Sequence, residues 1–292
     1  MKSVTAAGIA ALLPPLAGAR AAAFNLNYAP HAGLFENSAG PSIIDQIEFA
    51  AGAGFTAWED NGMRGRDIEL QSDIAEALER RGMQMGVFVG ADIAWHEAGI
   101  TTGDDESRAR FLADIGASIE VARRINATWL TIVPGHVDLR LQPHFQMANV
   151  VETLKQASEI VEPHGMIMVL EPLNFRDHPG MFLTAIPQAY MICKAVDSPA
   201  CKILFDVYHQ QITEGNIIPN IDAAWDEIAY FQVGDVPGRN EPTTGEINYR
   251  RIFEHIHKKE FAGVIGMEHG KSRTGVAGEQ ALIDAYRLSD AF

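Results

Sequence analysis

The sequence predicts an α/β chain folded as a (β/α)8 TIM barrel in a single domain, and three observations carry that prediction. From Phe24 onward a short apolar run is followed by a helical pattern eight times over. Glycine stands just ahead of several of these runs, at Gly54, Gly82, Gly165 and Gly263, where a helix must end and turn into a strand. The longer connections, 90–104, 134–146, 172–183, 207–216 and 234–248, all come after strands, which builds up one face of the barrel.

Taken in order, the expected strands are 24–28, 55–58, 83–89, 128–133, 166–170, 203–205, 229–233 and 264–267, each rich in β-branched, aromatic or other apolar residues. Ile43, Ile47, Ala50 and Ala51 have the 3.6-residue spacing of a buried helix face, as do Ile74, Ala77 and Leu78. Ser42 is placed to cap the first helix and Asp105 the third, while Pro163 and Gly165 close the fourth ahead of its strand. No low-complexity linker divides the pattern, so 24–292 reads as one catalytic domain.

Ahead of it, Met1 to Ala23 combines Lys2, the apolar run VTAAGIAALLPPLAGA and a string of small residues, the order of a signal peptide. Export, to a periplasm for instance, is expected if that segment is cleaved, and a cytoplasmic protein if it is not. No later stretch has the ~18 uninterrupted apolar residues of a membrane span. The net charge of −15, with no basic block, argues against a nucleic-acid or anionic-membrane surface. Cys193 and Cys201 read as two structural thiols rather than an implied disulfide.

Chemistry is expected where polar residues end successive strands. Glu171 follows MIMVL, Asp206 follows KILF, Gln232 follows IAYF and Glu268 follows GVIGM. In a barrel these four side chains meet at the C-terminal mouth, where such folds build their sites. Three carboxylates and an amide oxygen form a hard donor set suited to one divalent metal, Mg²⁺ or Mn²⁺, rather than zinc. Around them, His209, Asn174, Asp177 and Arg239 are candidates for binding substrate, with His136 and Glu59 at the ends of two further strands. Arg239, in DVPGRNEP, has the planar fork that grips a carboxylate. Trp95 and His96 are placed to form a substrate wall or to pack their loop down.

The segments LEPLNFRDHPGMFL, FDVYHQQITEGN and FQVGDVPGRNEPTTGEINY resemble the hydroxypyruvate isomerase family of xylose-isomerase-like TIM barrels. The likeness runs from Phe24 to about His269 and is strongest in the second half. It implies that Glu171, Asp206, Gln232 and Glu268 hold the metal, with Glu171 and Glu268 also exchanging a proton between adjacent carbons of a small hydroxy-carbonyl acid, hydroxypyruvate giving tartronate semialdehyde. A ketose 3-epimerase or an inosose epimerase would use the same scaffold, and an exported sugar-binding barrel without turnover is the reading from another class. Barrels of this kind often pair, so a homo-oligomer is compatible with the sequence.

Overall fold

The computed structural model describes residues 24–292; the expected signal segment, 1–23, lies outside the described residues. Nine short strands alternate with ten α-helices. They are β1 (Tyr28–Ala29), α1 (Glu36–Ala39), α2 (Ile43–Ala53), β2 (Ala57–Trp58), α3 (Ile68–Arg81), β3 (Gln84–Met85), β4 (Phe88–Val89), α4 (Asp105–Ile125), β5 (Trp129–Ile132) and α5 (Pro143–Val161). There follow β6 (Ile167–Leu170), α6 (Ile186–Val196), β7 (Cys201–Asp206), α7 (Val207–Thr213), α8 (Ile217–Ala224), β8 (Ile228–Gln232), α9 (Tyr249–Lys258), β9 (Ile265–Gly266) and α10 (Gly275–Ser289).

Seven strands form one parallel sheet in the order β1-β9-β8-β7-β6-β5-β4, and β2 pairs with β3 in a parallel pair. The expected third strand is thus broken in two: β3 pairs with β2 and β4 with β5. The break falls at Gly86, where a Cβ would collide with the Tyr230 hydroxyl. The two pieces of sheet meet through a parallel bridge between His31 and Glu59, with the Glu59 amide donating to the Pro30 carbonyl.

One residue from each strand position (Ala29, Ala57, Val87, Trp129, Val169, Leu204, Tyr230 and Val264) joins in a single buried cluster. The larger apolar core lies outside it, where helix residues such as Ile47, Ile115, Leu154, Ile192 and Leu282 cover the sheet. Side chains alternate along a strand, so Glu59, Thr131, Glu171, Asp206, Gln232 and Gly266, two residues further on, share the face of the inner cluster. The barrel interior therefore passes from apolar to polar toward its C-terminal mouth.

Several boundaries differ from the sequence expectation. Asp104, not Asp105, caps α4, its carboxylate accepting from the Ser107 amide at 2.8 Å. Ser42 caps α2 as expected. Gly54, Gly82 and Gly165 take left-handed backbone at helix ends, but Gly263 does not; it sits against the Phe261 ring, after α9 has already ended at Lys258. The segment 207–216 is mostly helix α7 rather than open loop, because Asp206 caps it directly from the end of β7. Cys193 and Cys201 are buried free thiols. Among the described residues no helix is long and apolar enough to cross a membrane.

Candidate active site

Glu171, Asp206, His209 and Glu268 come together at the mouth, each with a ligand atom within 4.8 Å of the others. Topology accounts for the convergence. Glu171 follows β6, Asp206 ends β7 and Glu268 follows β9, and β6 and β9 stand three places apart in the sheet, so the two glutamates reach one point from different walls. Glu171 and Asp206 are almost wholly buried, and Glu268 is partly exposed.

Asp206 divides its work between two oxygens. Oδ1 caps α7, accepting from the Tyr208 amide at 2.7 Å, while Oδ2 faces His209 Nε2 and Arg239 Nη2, each at 3.5 Å. His209 is fixed from behind: its Nδ1 accepts from the Asn174 backbone N–H at 3.1 Å and lies 2.8 Å from Asn174 Nδ2. A backbone N–H only donates, so Nδ1 is the acceptor and the ring proton sits on Nε2. That proton points toward Glu171 Oε1, 3.6 Å away, and Asp206. Burial and the nearby Arg239 charge pull the His209 pKa down to about 3, so the ring is neutral.

Arg239 lies among the carboxylates. Its Nη2 is 2.6 Å from Glu268 Oε2, its Nε donates to the Glu268 carbonyl at 3.1 Å, and its guanidinium covers the Tyr208 ring at 4.7 Å. Burial opposes its charge, but Glu268, Asp206 and Glu171 outweigh that and hold it protonated. Burial raises the Glu171 pKa well above the ordinary carboxylate value, Glu268 and Asp206 adding to the effect and Arg239 opposing it. Asp206 is raised as well, chiefly by burial, with Arg239 again opposing. Removing three carboxylates from water beside one another is costly unless positive charge joins them.

Gln232 ends β8, paired in register with Asp206. Its Nε2 donates to Glu59 Oε1 at 2.9 Å, leaving a buried Oε1 with no protein partner. An orphaned oxygen beside three carboxylates fits a hard divalent cation, whose ligands are oxygens. Glu59 is buried in the interior, bonded to Gln232 and to the Tyr230 hydroxyl at 2.8 Å. Burial and the Glu268 charge raise its pKa well above the ordinary value, the two donated bonds opposing.

The other expected residues are placed as follows. Asn174 is fully buried and all its side-chain groups are engaged: Oδ1 accepts from the Arg176 and Asp177 amides, and Nδ2 bonds Asp177 and His209. Asp177 accepts from the Tyr208 hydroxyl at 2.7 Å. Both brace His209 and Tyr208 from the side. His136 joins neighbouring loops through backbone bridges to Ala98 and Met181, with its ring against Gly180. Trp95 stacks on His178 with ring centroids 5.3 Å apart, and His178 in turn lies 5.5 Å from His209, so this pair walls the mouth. With His96, Pro179 and Met181 they line a cavity of about 330 Å³.

Three contributors escape a reading of the sequence. Asn61 donates to Glu268 Oε1 at 2.9 Å, His178 forms the wall, and Tyr208 carries the Arg239 guanidinium. Asn61 lies in the turn after β2 and His178 within a turn after β6, outside any periodic pattern. Their only signal is a place shortly after a strand.

The chain belongs to the xylose isomerase-like TIM barrel family, whose model matches residues 47–289. It is 31% identical over 247 residues to the hydroxypyruvate isomerase of Escherichia coli K12, covering 84% of this chain and 94% of that protein. It is 28% identical to a 2-oxo-tetronate isomerase of Cupriavidus necator, covering 84% and 93%. These relatives make the chain an isomerase of the hydroxypyruvate isomerase type. Among solved structures, one titled as an AP endonuclease, family 2, from Brucella melitensis superposes with a TM-score of 0.76 at 24% identity, covering 87% and 96%. A D-psicose 3-epimerase from Clostridium cellulolyticum H10 superposes with 0.74 at 16%, covering 91% and 99%. At those identities the likeness is one of fold.

Proposed function

We propose that residues 24–292 are one catalytic domain, a closed eight-position barrel, that isomerises a small hydroxy-carbonyl acid, interconverting hydroxypyruvate and tartronate semialdehyde. The observation that carries the reading is the meeting of Glu171 and Glu268 at one point from different walls of the barrel. Support for closure comes from the inner cluster, to which all eight strand positions contribute.

The donor set fits one divalent cation, Mg²⁺ or Mn²⁺, held by Glu171, Asp206 and Glu268 with the free Oε1 of Gln232. When bound, such an ion supplies positive charge to the two neighbouring oxygens of an enediolate. The rest falls to the protein. One glutamate takes the proton from the hydroxymethyl carbon, whose C–H electrons become the double bond to the former carbonyl carbon. The other returns a proton to that former carbonyl carbon, while the hydroxyl proton passes between the two oxygens and leaves the aldehyde. His209 donates from Nε2 to a substrate oxygen. Arg239, whose Nη1 makes none of the bonds described above, pairs with the substrate carboxylate.

The test is exchange in deuterated water with Mg²⁺, followed by NMR, across hydroxypyruvate, ketohexoses and inososes. Deuterium entering hydroxypyruvate together with aldehyde formation supports the reading. Exchange at C3 of a ketose with inversion, and none with hydroxypyruvate, moves the assignment to an epimerase; no exchange with any of them favours a binding protein.

A further inference from the structure

A buried carboxylate bonded to one of the proposed donors has no part in the proton transfer just described. Glu59 is 1% exposed and follows β2, a strand that supplies none of the proposed metal donors. Its Oε2 accepts from the Tyr230 hydroxyl at 2.8 Å and its Oε1 from Gln232 Nε2 at 2.9 Å. The fold makes room for it: Gly266 is paired in register with Gln232, and a Cβ there would occupy the space of Glu59 Oε2. Tyr230 is held in turn, its hydroxyl lying 3.3 Å from the Val87 amide at the break between β3 and β4.

A primary amide has two faces, and only one is a metal ligand. Both Glu59 oxygens accept, Oε2 from the Tyr230 hydroxyl and Oε1 from Gln232 Nε2, so Gln232 presents its NH₂ to this side. The amide oxygen is then turned the other way, and that is the buried oxygen without a protein partner. We propose that Glu59 is a positioning residue that sets the orientation of the Gln232 amide, so that its oxygen, and not its nitrogen, is offered to the cation. The Glu59–Gln232 pair does for an amide ligand what a carboxylate does for a metal-bound histidine when it accepts from the second ring nitrogen. The inference rests on the metal-site reading above.

The experiment is Mn²⁺ titration of the metal-free full chain, followed by the loss of free Mn²⁺ signal in electron paramagnetic resonance, with apo-protein melting measured in parallel. Glu59→Gln keeps the shape but lets the facing amide bond either way, so Gln232 is free to turn. Its Mn²⁺ dissociation constant is expected to rise about 10- to 100-fold, the usual cost of losing such a partner, with the apo protein still melting in one cooperative transition. Gln232→His in the wild-type background should bind Mn²⁺ and retain the dependence on Glu59, since a ring N–H can donate to the same carboxylate. If Glu59→Gln does not fold, Tyr230→Phe, which removes one oxygen, reads the same relay with a smaller rise. Saturable binding in the wild type with an unchanged constant in every folded variant overturns the role of Glu59 alone. No saturable binding in the wild type overturns the metal site itself.

Discussion

Glu171 and Glu268 carry the sharpest expectation at the scale of single residues. On the proposed mechanism each contributes through the transition state, so Glu171→Gln or Glu268→Gln should lower turnover by about 100-fold or more, with a smaller change in substrate affinity. Steady-state kinetics on hydroxypyruvate reads this directly, and a Gln variant with near-native turnover removes that residue from proton transfer. Arg239→Ala separates into two effects, because its guanidinium both bonds Glu268 and faces the mouth. Weakened binding of hydroxypyruvate with neutral ketoses spared marks it as the carboxylate partner; equal losses on both mark it as support for Glu268. His209→Phe should abolish the Nε2 donor while leaving Asn174 Nδ2 its bond to Asp177, so turnover should fall with the fold intact. Melting curves beside the kinetics check that separation.

Among the elements, α1 depends on a group far away in sequence. Glu279 of α10 is fully buried and accepts from the Asn37 and Ser38 amides, both at 2.8 Å, and from Lys271 Nζ at 3.2 Å. It satisfies first-turn amides that a helix cannot pair internally. Burial alone would raise its pKa, but the bonds from Ser38 and Asn37 prevail and lower it to about 2. A lowered carboxylate pKa adds stability above the ordinary value of 4.5, and that stability is lost as pH falls toward about 2. Glu279→Gln should therefore destabilise by about 1–3 kcal/mol near neutral pH, and the gap from wild type should close in acid; urea unfolding at two pH values checks both. Elements also show what could be read in advance. The helices follow from apolar spacing because each buries one regular face, and β5 to β8 from continuous apolar runs because both of their faces are covered. The break in the third strand does not, since it arises from the Tyr230 hydroxyl crossing the barrel to Gly86, a contact 144 residues apart that no local pattern contains. The same holds for the site. Glu171, Asp206, Gln232 and Glu268 were legible as acids or amides ending strands. The use of Glu59 as a partner for Gln232, and of Asn174 as a brace for His209, depends on which side chains meet across the interior.

Across the whole molecule, the buried carboxylates couple stability to pH, and the proposed metal would reverse that coupling. Glu171 and Asp206 both have raised pKa values, with burial the first cause in each. In the metal-free protein they retain protons that the unfolded chain has already released, so stability falls as pH climbs from about 4.5, the ordinary value for glutamate, through their folded pKa values. This window lies above the one in which Glu279 acts, so the two effects do not cancel. A bound cation requires the same groups ionised, and its charge offsets their repulsion. Mn²⁺ should then raise the melting temperature more at about pH 8 than at about pH 6, and a hundredfold excess over its dissociation constant should add about 2.7 kcal/mol. The ligands are drawn from positions spread between 171 and 268, on strands that share one sheet with β1 and β4, so the shift should move a single unfolding transition rather than one half of it. Calorimetry in chelator and in Mn²⁺ at both pH values measures all of this. A melting temperature in chelator that rises with pH over this range, or a second transition that Mn²⁺ leaves in place, would show that the carboxylates are not held as one strained group at the centre of one cooperative barrel.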